Sequence, residues 1–212
     1  MDTSRKPWVR GYRLAFALLA VAAIVVQVVR SSGGGFPLVN FFSFFTIESN
    51  IFGIAVLLWG VLWPGKRPSL GRDLVRGAAV LYLAITGIVY GVLLAGYQEE
   101  LQTTIPWVDT VLHKVMPLTM VFDWLVVPPS RKLRFRNALI WLAYPVAYVA
   151  YSLIRGPRVD WYPYPFLDPG QTGGYAMVGA YIVGIAVAAV LFTLLVVLIG
   201  RHVRLVVGRG DW

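Results

Sequence analysis

The stretch from Tyr175 to Gly200, YAMVGAYIVGIAVAAVLFTLLVVLIG, contains no charged side chain. As a helix rising about 1.5 Å per residue, it exceeds the roughly 30 Å of hydrocarbon in a bilayer. One small soluble core cannot absorb such segments in a chain of 212 residues that is 58% hydrophobic, with a mean hydropathy of +0.69. The composition therefore reads as an integral membrane protein.

Five further apolar segments precede it, running roughly from Leu14 to Val29, Leu38 to Trp63, Leu74 to Tyr97, Ile105 to Val127 and Ala138 to Ile154. The expectation is an all-α membrane protein: one six-transmembrane-helix bundle over residues 1–212, with no internal repeat and no second domain. The first segment has a basic lead, as a signal peptide does. Gln27-Val28-Val29-Arg30 offers no small-residue cleavage site, so it reads as a retained helix.

A net charge of +9 raises the question of nucleic acid, but the basic residues alternate between the apolar segments and form no single patch. One set of loops and helix ends carries all of them except Arg30, Lys114, Arg155 and Arg158. That asymmetry predicts both termini on the cytoplasmic side, in a multi-pass protein of a bacterial cytoplasmic membrane, with no nucleic-acid partner. Cysteine is absent, which excludes disulfides and thiolate chemistry. The two histidines, His113 and His202, fall toward opposite sides of the membrane, so neither a metal site nor a cofactor is expected.

The polar residues inside the apolar segments are then the candidates for chemistry, since such groups are costly in hydrocarbon. Thr46 in FFSFFTIESN and His113 in DTVLHKVMPLTMVFDW lie equally far into helices that run in the same direction. Both fall roughly 12 Å below the outer boundary, so they can meet. Asn50 lies one turn beneath Thr46, whereas Glu48 points about 200° away. Asp109, one turn above His113, has the spacing to orient its imidazole; Lys114 lies off that face and can reach Glu48 or the headgroups.

Plainer readings stand beside these. Threonine in a membrane helix commonly returns its hydroxyl to the i−4 carbonyl, here that of Phe42, and a lone histidine is commonly an interhelical donor. Asp123 reads most simply as a pairing residue. Tyr144, Tyr148, Tyr151 and Arg155 share one face of the fifth helix, able to orient an acyl carboxylate, although packed tyrosines with satisfied hydroxyls are the better account of it. Gly87 and Gly91 have the spacing of close helix packing. In the last outer loop, RGPRVDWYPYPFLDPGQTGG, the aromatic residues suit either a headgroup-level anchor or a lid over an outward-opening cavity.

The layout, with FFTIESN, HKVMPLTMVFDW and WYPYPFLDPG, resembles the androgen-induced protein family, and most closely its bacterial branch. That family comprises six-helix intramembrane threonine hydrolases of fatty acid esters of hydroxy fatty acids. The resemblance implies Thr46 as nucleophile, His113 as the essential histidine, and a fatty acyl ester or membrane lipid as substrate. An adjacent neutral imidazole is the group that would activate a threonine hydroxyl. Beyond the resemblance, Asn50 is expected to donate to the oxyanion and Lys114 to supply positive charge, in a cavity between the second and fourth helices.

Other hydrolase motifs are missing: Gln98-Glu-Glu-Leu-Gln lacks the arginine of prenyl-protein endopeptidases, and there is no GxSxG elbow or HExxH helix. The alternative is a small-molecule or proton-coupled transporter, or a lipid-binding membrane protein without catalytic activity, using Glu48, Asp109, His113 and Lys114 as its polar pathway.

Overall fold

A computed structural model describes residues 3–64 and 69–208. Lys66, Arg67 and Arg209, which contribute to the charge pattern above, lie outside the described residues. The described residues are helical, with no strand among them. Among the described residues, five helices are long and apolar enough to cross a membrane: Pro7–Gly33, Phe45–Leu62, Leu70–Leu94, Phe135–Val159 and Tyr175–Val206.

The elements in order are α1 (Pro7–Gly33), α2 (Leu38–Phe41), α3 (Phe45–Leu62), α4 (Leu70–Val89), α5 (Pro106–Thr110), α6 (Met116–Val126), α7 (Phe135–Ala138), α8 (Ala143–Val159), α9 (Pro169–Thr172) and α10 (Tyr175–Gly208). A π-helical turn over Tyr90–Leu94 extends α4, and another over Val111–Val115 joins α5 to α6. A 3₁₀ turn, Leu139–Leu142, joins α7 to α8. The helices α1, α3, α4 and α6 form the packed centre, and α10 lies against α4.

Two expectations change. The segment from Leu38 to Trp63 is not one helix: Phe42 closes α2 and Phe44 opens α3 in extended backbone. Phe41, Phe44 and Phe45, on the two sides of the break, are all buried. The segment around His113 is continuous as chain but changes winding twice, from α to π and back to α.

Proline chemistry explains two of the departures from regular α-helix. Pro145 has no N–H for the carbonyl of Trp141 one turn back, and the Tyr82 hydroxyl donates to that oxygen instead, at 2.9 Å. In the π turn, Met116 donates its N–H to the Val111 carbonyl. The next bond in that series would run from residue 117 to Leu112, but Pro117 cannot donate. The Asn50 amide supplies the missing proton across the helix interface, at 3.1 Å from the Leu112 oxygen.

Far from that junction, Asp123 of α6 is buried between two guanidiniums. Arg13 Nε of α1 lies 2.5 Å from Oδ1 and a terminal nitrogen of Arg76 of α4 lies 2.8 Å from Oδ2. Tyr12 donates to Oδ1 at 2.7 Å, and Arg76 also donates to the Val127 carbonyl at 2.6 Å. Asp123 is thus a pairing residue that joins three helices. Burial of such charges is tolerated because their hydrogen-bonding capacity is largely met.

Candidate active site

Thr46 is the second residue of α3. The first turn of a helix has N–H groups without intrahelical partners, and that of Thr46 donates to the Tyr164 hydroxyl at 3.1 Å. Because Phe42 lies before the start of α3, the expected return of the Thr46 hydroxyl to the Phe42 carbonyl does not form. Ser43 makes that kind of bond instead, donating to the Val39 carbonyl at 2.7 Å. The Thr46 hydroxyl lies 3.3 Å from Nε2 of His113 and 3.4 Å from the Tyr164 hydroxyl.

His113 sits in the middle of the π turn and is 3% exposed. Its Nδ1 lies 3.0 Å from Oδ1 of Asp109, whose Oδ2 accepts from the Tyr90 hydroxyl at 2.6 Å. A carboxylate only accepts, so this pairing puts the imidazole proton on Nδ1 and leaves Nε2 with a free lone pair toward Thr46. The Tyr90 ring, itself on a π turn, stacks on the imidazole at 3.9 Å between centroids and 11° between planes. Gln98 donates to the Tyr90 hydroxyl at 3.2 Å and extends the chain of bonds outward.

These contacts hold the imidazole on two sides. Its plane is set by Tyr90 and its tautomer by Asp109, the arrangement by which a third group orients a general base. Gly87 allows the close approach of the helices here: a Cβ on it would meet the His113 carbonyl oxygen at 3.1 Å and Pro117 Cβ at 3.2 Å. Gly91, its partner in the spacing noted above, faces open space and does not contribute to that packing.

Other candidates are placed differently from their expected roles. Asn50 is fully buried and its amide nitrogen donates to the Thr46 carbonyl at 2.8 Å as well as to Leu112. With both protons engaged, it lacks the free donor that an oxyanion role requires. Glu48 does not pair with Lys114; it accepts from the Tyr144 hydroxyl. Lys114 is exposed and, with His113, lines an apolar groove between α4, α6 and α10. Tyr151 bonds to the Ser43 hydroxyl at 2.9 Å, while Arg155 is held by Asn40 and lies over the Trp161 ring. Of that face of α8, Tyr148 alone reaches the cavity beside Thr46, with its hydroxyl donating to the Ser43 carbonyl at 2.9 Å.

That cavity also corrects the expected position between the second and fourth helices. It has a volume of about 230 Å³ and lies between α3, α4, α8 and α10, with Thr46 in its wall and Tyr164, Phe166 and Leu167 from the last long loop alongside. Its lining is otherwise almost wholly apolar, including Ile85, Val149 and Ile185. Val146 and Val190, on α8 and α10, also line it and are 66% and 39% exposed, so the cavity reaches the side of the bundle.

Tyr164 is the site residue that the sequence reading assigned to a loop without giving it a role in chemistry. It is 6% exposed and stacks on Phe166 at 5.2 Å. Burial pushes its phenol up to about 12 against the opposing effect of its bonds to Thr46, so the hydroxyl stays protonated at neutral pH. Among the described residues no cluster of histidine and carboxylate side chains has the makings of a metal site. Comparison of the chain with protein-family models, curated proteins and solved structures finds no match.

Proposed function

We propose that the protein is an intramembrane threonine hydrolase of fatty acyl esters. The observation that carries this reading is the 3.3 Å approach of the Thr46 hydroxyl to His113 Nε2, at the wall of an apolar cavity that reaches the bundle's side. Thr46 donates its proton to Nε2 as its oxygen attacks the ester carbonyl, and Asp109 stabilises the resulting imidazolium. The tetrahedral intermediate collapses with the imidazolium returning the proton to the departing alkoxide. Water then attacks the acyl-threonine with His113 again as base, releasing the fatty acid.

The reading includes six spans and cytoplasmic termini. From Pro106 to Val126 the helical turns are continuous and extend roughly 30 Å, which supports the sixth crossing that α5 and α6 make together. It also includes membership of the androgen-induced family, in its bacterial branch, and a place in the bacterial cytoplasmic membrane. The rim at Val146 and Val190 suits a substrate that enters from lipid.

Purified protein in a bilayer is expected to hydrolyse long-chain acyl esters and to react covalently at Thr46 with a long-chain phosphonate. Thr46→Ala and His113→Ala should each remove nearly all hydrolysis, since the two act as a unit. Full activity in a folded Thr46→Ala protein would sink the reading and leave transport or lipid binding as the function.

A further inference from the structure

An oxyanion forms when Thr46 attacks, and it needs a donor. The groups near the cavity narrow the choice. Both amide protons of Asn50 are held by carbonyls, Tyr148 donates to Ser43, and the Ser43 hydroxyl donates to Val39. The Thr86 hydroxyl has no hydrogen-bond partner, but it is buried away from the cavity that its residue lines. Tyr164 differs from all of these. Its oxygen accepts the Thr46 N–H, and its own proton has only the 3.4 Å contact with the nucleophile's oxygen.

We propose that Tyr164 is a catalytic residue of the hydrolase proposed above, donating its phenolic proton as a hydrogen bond to the oxyanion formed at Thr46. The proton moves from a long bond with the threonine oxygen to the new negative charge beside it, while remaining on Tyr164. Two features strengthen it as a donor. The N–H that it accepts polarises the phenol, and that N–H belongs to the first turn of α3, the positive end of the helix. The acceptor becomes charged only during reaction, so this bond is stronger in the transition state than with bound ester.

The loop that carries Tyr164 is packed, as the role requires. Phe44 lies 5.8 Å from its ring and Trp161 lies 5.6 Å from Phe44. A Cβ on Gly156 would fall 2.1 Å from a ring carbon of Tyr162, so α8 and the loop are in direct contact. Tyr164→Phe keeps the ring in this packing and removes only the hydroxyl.

The test uses the full chain in a bilayer, a p-nitrophenyl ester of a long-chain acid, and an alkyl trifluoromethyl ketone as transition-state analogue. Tyr164→Phe is expected to lower kcat by about 100- to 1000-fold with KM within about twofold. Affinity for the ketone should fall by the same factor as kcat/KM, with affinity for the product fatty acid unchanged. Unchanged kcat and ketone affinity in Tyr164→Phe, with active wild-type protein, would overturn the role of Tyr164 and leave the hydrolase reading intact. Absence of both hydrolysis and phosphonate labelling in wild-type protein would overturn both. Should Tyr164→Phe unfold, 3-fluorotyrosine at position 164 preserves the shape and makes the phenol more acidic. A changed kcat then supports the role, and an unchanged one overturns it.

Discussion

Asn50 shows how a side chain on the expected face can have a different task. Its place one turn beneath Thr46 was legible from helical period, but the demand on its protons was not, because Pro117 creates that demand more than sixty residues later. Asn50→Ala is expected to cost about 1–3 kcal/mol through the Leu112 carbonyl left without a donor, seen as a lower unfolding midpoint. The folded fraction should keep kcat within about tenfold of wild type. A variant of wild-type stability with kcat reduced a hundredfold would instead return Asn50 to the chemistry. Tyr164 was hidden for a related reason. Its bond to Thr46 spans 118 positions, and an aromatic loop has no periodicity from which such a contact can be read.

At the level of elements, equal depth in two parallel segments placed Thr46 and His113 together, and their hydroxyl and imidazole lie 3.3 Å apart. That argument survives two irregularities it did not anticipate. The break at Phe42 to Phe44 contains neither glycine nor proline, and a π turn adds one residue without changing composition. Both irregularities serve the same junction: the break exposes the N–H of Thr46, and the π turn carries His113 at its centre. Close approach of α4 keeps the junction tight. Gly87→Ala should push the helix carrying His113 by a few tenths of an ångström, and Gly87→Val further, with kcat falling toward the roughly hundredfold that a 1 Å misplacement costs. Gly91→Ala, which meets no atom within 4 Å, should be silent. Equal losses from both substitutions, measured as kcat in folded protein, would show that α4 packing does not set the position of His113.

For the molecule as a whole, composition sufficed to read a membrane bundle, whereas the location of its cavity depended on how α3, α4, α8 and α10 come together around it, which no local pattern encodes. Orientation remains open to a direct check because cysteine is absent. Single cysteines replacing the exposed Ser32 and Gln171 should react with an impermeant thiol reagent added outside intact cells, while those replacing Ser69 and Gly208 should be protected. The reverse pattern would place Thr46 in the cytoplasmic half. The cluster around Asp123 carries a consequence for synthesis. Arg13 leaves the ribosome 110 residues before its counter-ion, and Arg76 leaves 47 before it. Both guanidiniums are therefore made before the carboxylate that pairs them in the folded chain. The link between α1 and α4 through this carboxylate is thus a late event in synthesis, made only once α6 has followed them.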